Sequence, residues 1–549
     1  MTALTETAEA GSTSTTLEAL RQGGRLCSFS RSPRVRKLAG RSVAVLAVLA
    51  VALGVVLRFW TKSDLWLDEA LTVNIAGQPL SHLHTALRRD GAPPLYYALL
   101  HFWMKAFGSS DFAVRSMGGV MSVATLPLAW IAGRRLGGIS NGKIVGPGSL
   151  LLLATSPFAI RYATETRMYV LVVLLSALGL LAVDRALRTP RIGNLVATAL
   201  ATAALLYSQY WSLYLVAVTG AWLLWQAWRG PSHRRRNARF AFAAVLAGCA
   251  AFLPWVPTFL FQAHHTGTPW AAPGSLDATV HAIAEFAGGA TSEGRALALV
   301  YFALTGLGLF GLAIDRKRIE LDLLTRPRAR GLAIVVAGTL LLAVGGGILT
   351  HSAYSDRYAS VVLMPFILLV ALGASTFADR KVRVGVLALA AAVGLLASLP
   401  DIWTNRTQAA EVSTTLARLG RPGDVVAYCP DQLGPSVNRL LPTGRYSEIT
   451  FPRGTGPEFV DWIDYAKASK KGSPAAFARR LEAMSGGKHQ IWLVWAPGYA
   501  TFGTKCETIE TNLLADRSLA AHEMFPLGTE YQPMELVRFV PIVSASQGP

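Results

Sequence analysis

The sequence predicts a polytopic α-helical membrane protein of about eleven transmembrane helices, with juxtamembrane helices on the periplasmic side and a C-terminal extracytoplasmic α/β domain. Three observations carry this. Of 549 residues, 52% are hydrophobic, and the mean hydropathy is +0.38, because long apolar runs recur over most of the chain. The basic residues sit in short blocks between those runs, as they do in cytoplasmic loops. From about Asp401 the apolar runs give way to short strand and helix patterns. A formal net charge of +19 would otherwise suggest nucleic acid, but its placement between apolar runs excludes that partner and makes the lipid bilayer the partner instead.

Residues 1–41 are rich in Thr, Ser, Ala and Glu before a basic block (Arg31, Arg34, Arg36, Lys37, Arg41), which predicts a disordered cytoplasmic N-terminus. The run Ser42–Trp60 is the first span rather than a cleaved signal, since no small-residue cleavage site closes it and Arg58–Phe59–Trp60 suits an interface anchor. Residues 42–400 form the membrane domain, and 61–111 its first extracytoplasmic loop. Within that loop Pro94–Phe107 is too short to cross and is expected to lie on the surface.

The later spans then alternate: Phe112–Ala132, Val145–Ile160, Met168–Val183, Leu195–Tyr207, Leu213–Trp228, Phe240–Phe261, Ala296–Ile314, Leu332–Leu349, Tyr358–Phe377 and Val384–Leu399. With Pro94–Phe107 left out, every basic cluster falls on the cytoplasmic side and the tail lies outside the plasma membrane. In residues 401–549, Asp424–Cys429, Gln490–Val494 and Glu535–Val540 read as strands, and Phe459–Ala468, Pro474–Met484 and Cys506–Asp516 as helices. Gly420–Gly423 is a turn, not a phosphate-binding loop. Cys429 and Cys506 either pair as a disulfide outside the cytoplasm or remain two buried thiols.

Chemistry-bearing residues gather in the predicted outer loops. Asp68 and Glu69 stand just beyond the first span, where carboxylates are costly unless they have a task or a partner. One carboxylate suffices as the base of an inverting sugar transfer, taking the acceptor hydroxyl's proton while a phosphate leaves as a stable anion. Asp68 also fits a helix N-cap. Glu165, Arg167 and Tyr169 form a second outer cluster, and Arg357 and Tyr358 a third with His351 and Tyr354. These suit phosphate or hydroxyl binding, and equally interface anchoring. Tyr96 and Tyr97 follow the rigid Pro93–Pro94. His264 and His265 are adjacent, a poor arrangement for one metal ion. No metal ligand set is identified.

The ordered set WLDEA (Trp66–Ala70), GAPPLYYALLHFWMKAFGSSDFAVR (Gly91–Arg115), SPFAIRYATETRMY (Ser156–Tyr169) and SDRY (Ser355–Tyr358) resembles the GT-C glycosyltransferases, in particular the protein O-mannosyltransferase and aminoarabinose transferase group and its actinobacterial members. The resemblance covers the first half of the chain well and the second half thinly. It implies Asp68 as the catalytic base and Arg357 on the donor phosphate. Beside these, Glu69 is the second catalytic candidate, and Tyr96, Tyr97, Glu165, Arg167, Tyr169, His264 and Tyr358 join Arg357 as substrate-binding candidates. The resemblance implies a polyprenyl-phosphate sugar donor, no nucleotide and no cofactor. The cargo it implies is mannose before arabinofuranose, and the acceptor a cell-envelope glycolipid, glycan or protein. Where relatives carry a His before the PPLYY element, this chain has Ala92, and Glu165 is the sole carboxylate of its cluster. A lipid or glycan flippase is the competing reading. It calls for charges at midplane depth, and these apolar runs are nearly free of them. A non-catalytic scaffold would leave the acidic loop unexplained.

Overall fold

The computed structural model describes residues 33–267, 275, 277–350 and 354–542. Residues 1–32, where disorder is expected, and His351 lie outside the described residues. Of a first compact unit ending at Leu49, the described part is the leading portion of the helix Pro33–Leu57. That helix starts ahead of the apolar run. Everything below concerns the second unit, Ala50–Pro549.

Each predicted apolar span is helical over most of its length. Among the described residues 7 helices are long and apolar enough to cross a membrane, and two shorter apolar ones, Arg41–Leu57 and Ile192–Leu206, accompany them. The continuous-looking helix Asp111–Ala154 is broken at Gly138 (φ 63°, ψ −156°). A side chain at Gly133 would meet Val145 O and Ser149 Oγ, and one at Gly146 would meet Trp130 O and Arg134. The two arms therefore fold back as a tight hairpin, and glycines let their backbones touch. Arg58, expected at the interface, is fully buried. Its Nη1 and Nη2 donate to Ala154 O and Leu153 O, both at 2.7 Å, and so satisfy carbonyls at the end of that hairpin. The expected span to Ile314 stops at Phe310. Gly311–Ala313 (β1) turns and pairs antiparallel with Ile319–Leu321 (β2).

The inter-span loops sort into two poles. At the basic one, Arg135 pairs with Asp184 at 3.2 Å, Asn237 donates to Leu187 O at 2.9 Å, and Arg328 donates to Gly137 O at 2.7 Å. At the other, three short helices, Leu67–Gly77, Leu80–Asp90 and Leu95–Phe107, lie under the C-terminal region. Leu95–Phe107 has 13 residues, about 20 Å of helix, short of a hydrocarbon core.

That C-terminal region contains a five-stranded sheet. Val425–Cys429 (β3), Ser447–Thr450 (β4), Ile491–Trp495 (β5), Leu519–Phe525 (β6) and Glu535–Pro541 (β7) lie in the order β4-β3-β5-β7-β6. β3 is parallel to β4 and β5, while β7 is antiparallel to β5 and β6. Strands β3 and β5 are buried throughout. Val425, Ala427 and Cys429 enter one core while Val426 and Tyr428 enter another, the period-2 signature of a strand covered on both faces. The helix expected over Phe459–Ala468 begins only at Tyr465, because Asp464 before it is left-handed (φ 49°).

Cys429 and Cys506 form a disulfide across 77 residues, tying β3 to the helix Lys505–Leu514. Replacing Cys429 and Cys506 by Ser is expected to cost this region about 2–5 kcal/mol. Limited proteolysis would report it as faster cleavage after Asp401, with the membrane helices unaffected.

Candidate active site

The helix Leu67–Gly77 starts from Trp66 with no side-chain cap, so Asp68 lies within the first turn rather than at the cap. Consecutive helical residues point about 100° apart, which sends Asp68 and Glu69 into different surroundings. Both benefit from the positive end of the helix dipole.

Glu69 is fully buried. Arg115, from the first arm of the long hairpin, donates Nε to Oε1 at 2.8 Å and Nη2 to Oε2 at 2.6 Å. The Thr166 backbone N–H donates to Oε1 at 2.9 Å, and Arg406 Nη1 lies 3.9 Å from Oε2. The same Arg115 donates to the carbonyls of Ser63 and Asp64, and Arg406 donates to Thr164 O and Oγ1, both at 2.8 Å. One carboxylate thus joins the first loop, the hairpin, the 164–168 loop and the start of the C-terminal region. Burial alone would raise the Glu69 carboxyl. Arg115, Arg406 and the Thr166 amide override it and hold the group below its usual range.

Asp68 is not sealed as Glu69 is: its side chain is 16% exposed. Arg357 Nη1 is 3.1 Å from Oδ2 and Arg167 Nε is 3.9 Å away. Arg167 is fixed in turn: Nη1 donates to Thr72 Oγ1 at 2.9 Å and to Tyr97 OH at 3.4 Å. The Tyr97 hydroxyl donates to Asp90 Oδ2 at 2.6 Å. Burial pushes the Asp90 carboxyl up, against the pull of Arg167 and Tyr97. The guanidinium of Arg357 also lies 5.7 Å from the Trp66 ring. Tyr531, from the segment between β6 and β7, meets Trp66 edge-on at 4.9 Å while staying 63% exposed. The C-terminal region therefore contributes an aromatic ring beside Asp68.

The other expected residues distribute around this centre. Glu165 is buried, its Oε1 has no hydrogen-bond partner, and Arg161 Nη2 is 3.6 Å from Oε2. Burial raises its carboxyl. Tyr169 is buried with its ring 6.4 Å from Tyr358, and Tyr358 also faces Trp211 at 5.6 Å. Tyr96 is buried, edge-on to Tyr97. His264 stands apart: it is exposed at the end of the helix Val256–His265, while His265 beside it meets Asp464 at 3.3 Å. Among the described residues no three His, Cys, Asp or Glu side chains gather as a metal ligand set. The structure adds Arg115, Arg406, Asp90, Thr72 and Tyr531. Of these, Thr72 and Asp90 lie in the first outer loop and Arg115 closes the Gly91–Arg115 segment, all of which the sequence singles out, while Arg406 and Tyr531 lie in residues 401–549.

Residues 91–256 match the family model of dolichyl-phosphate-mannose-protein mannosyltransferases. That stretch holds Tyr96, Tyr97, Arg115, Glu165, Arg167 and Tyr169, and leaves Asp68 and Arg357 outside. No curated protein matches the chain. Among solved structures, it is similar to the ArnT of Cupriavidus metallidurans bound to undecaprenyl phosphate, at 12% identity and a TM-score of 0.53, over 93% of this chain and 100% of that one. The apo state of the same ArnT gives 12% identity and a TM-score of 0.54, over 91% and 98%. The chain therefore has the fold of the GT-C glycosyltransferases.

Proposed function

We propose that the protein is a glycosyltransferase that moves a sugar, mannose first, from a polyprenyl-phosphate donor to a cell-envelope glycolipid, glycan or protein on the outer face of the plasma membrane. Transfer is inverting, with Asp68 as base. The observation that carries the reading is the Asp68 site itself: a carboxylate 16% exposed with Arg357 at 3.1 Å and Arg167 at 3.9 Å. A base and two cations side by side are what attack at an anomeric carbon and departure of a phosphate require. The matched family supports mannose, and the undecaprenyl phosphate on ArnT supports a polyprenyl carrier.

In this reading Arg357 leaves Asp68 for the arriving donor phosphate, which frees the carboxylate for the acceptor hydroxyl. Arg167, clamped by Thr72 and Tyr97, stays as the second cation. Glu69 is an anchor rather than a second catalytic group. Trp66 and Tyr531 offer ring faces to a sugar. The basic pole faces the cytoplasm by the positive-inside rule, and a disulfide in the opposite region suits an oxidising compartment.

The test is transfer by purified protein in lipid from radiolabelled polyprenyl-phosphate mannose, then from polyprenyl-phosphate arabinose. Transfer from either supports the class and names the sugar. Silence with both, in protein shown to be folded, sinks the enzyme reading. Arg357→Ala is expected to weaken donor binding by about 10–100-fold, the loss of one charge-assisted contact, with acceptor KM little changed. Unchanged donor affinity would remove Arg357 from the phosphate.

A further inference from the structure

The basic pole holds a cavity whose residues are distant in sequence from Asp68 and unused by the proposed chemistry. Its volume is about 290 Å³, and Asn141, Gly311, Arg326, Ser375, Thr376 and Arg383 line it. Arg326 is half-buried and donates Nη1 to Thr376 Oγ1 at 3.1 Å. Arg383 donates to Phe377 O at 2.9 Å. Among the described residues no carboxylate pairs with Arg326, Arg328 or Arg383. Three of the nearby acids accept from backbone amides: Asp315 from Lys317 and Arg318, Asp322 from Leu324, and Asp379 from Lys381 and Val382; the fourth, Glu320, is exposed on β2 opposite Leu312. Burial and the neighbouring Arg328 push the Arg326 guanidinium below its ordinary value, as expected of a cation short of an anion.

A second feature adjoins the cavity. The β1–β2 hairpin and the segment after it expose Ile314, Leu321, Leu323 and Leu324, the last two at 87% and 72%. Arg316, Lys317 and Arg318 precede these leucines and Arg326, Arg328 and Arg330 follow them, with Glu320 and Asp322 on either side of Leu321. Exposed apolar side chains among cations, at the end of a set of spans, are the composition of an interfacial membrane anchor.

We propose that this pocket binds the phosphate of an anionic phospholipid from the leaflet at the basic pole, with the leucines of the adjoining segment in its acyl region. Arg326 and Arg383 supply the fork-shaped donors that a phosphate accepts, and the pocket volume suits a headgroup; the Ser375 and Thr376 hydroxyls donate instead to Leu372 O and Leu307 O. The site stands independently of sugar transfer, since none of its residues belongs to the Asp68 cluster.

Native mass spectrometry of the full chain, released from phosphatidylcholine bilayers doped with phosphatidylglycerol, tests this. Wild type is expected to retain phosphatidylglycerol in preference to phosphatidylcholine. The double substitution Arg326→Gln with Arg383→Gln should reduce that preference about thirty-fold, two basic contacts' worth. Arg326→Lys, which keeps the charge, should retain most of it, which separates lost binding from lost folding. Equal retention of the two lipids by wild type overturns the proposal. So does inorganic phosphate that protects lipid-free wild type, but not the double variant, as strongly as phosphatidylglycerol does, because the site would then take its anion from solution.

Discussion

Asp68→Asn is expected to lower sugar transfer by about 10²–10⁴-fold, the usual contribution of a positioned base, while the protein stays folded and inserted. The substitution keeps shape and removes only the ability to take a proton. The side chain is 16% exposed, and its amide oxygen can still accept from Arg357, so little packing is lost. Donor binding should move the opposite way to the rate. Arg357 and Arg167 then face a neutral amide in place of an anion, which competes less with the donor phosphate, so donor Kd stays level or tightens. The pair of readouts is diagnostic. A fall in kcat with unchanged donor affinity marks the base. Loss of both together would say that Asp68 organises the arginines instead. Full activity in Asp68→Asn would remove it as base, and Glu165, buried with an unpartnered oxygen, would be the next carboxylate to substitute.

The membrane architecture was legible because lipid permits few alternatives. Every backbone polar group must be satisfied within the span, so apolar run length and the side that carries arginine nearly determine the helices. The break at Gly138 was legible only as a gap between two runs, and the structure shows how closely the arms return. Strand β4 has four residues, and β6 is an edge strand whose exposed centre lacks alternation. Neither offered a period long enough to read. The expected helix over Phe459–Ala468 failed at a single residue, since a left-handed Asp464 is a tertiary choice that no local pattern signals.

The site divides in the same way. Asp68 and Arg357 each stand out as charges beside an apolar run, and the resemblance paired them with a task. Arg406 does not stand out: it lies in polar sequence after the last span, and its bonds reach Thr164, 242 positions away. Tyr531 is likewise an unremarkable tyrosine until β6 and β7 bring it to Trp66. Adjacent letters concealed the sharpest distinction, that Asp68 opens to the site while Glu69 is sealed.

That distinction predicts different losses. Glu69→Gln should cost about 3–5 kcal/mol of stability, the usual price of breaking one side of a buried ion pair, because Arg115 and Arg406 would be left as buried cations. Thermal unfolding in detergent or lipid would show it. Glu69→Leu combined with Arg115→Met should cost less than the sum of the two single changes, since the pair is removed together. The pH dependence has a fixed sign. The Glu69 carboxyl is held below its ordinary value when folded. Its stabilisation is therefore fully present above the unfolded value of about 4.3 and is lost as pH falls through the lower folded value. Wild type should consequently lose stability on acidification below about pH 4 more steeply than Glu69→Gln. A Glu69→Gln protein as stable as wild type but without transfer activity would reverse the assignment. Both carboxylates would then belong to the chemistry, and the arginine clamp on Glu69 would have to open during turnover.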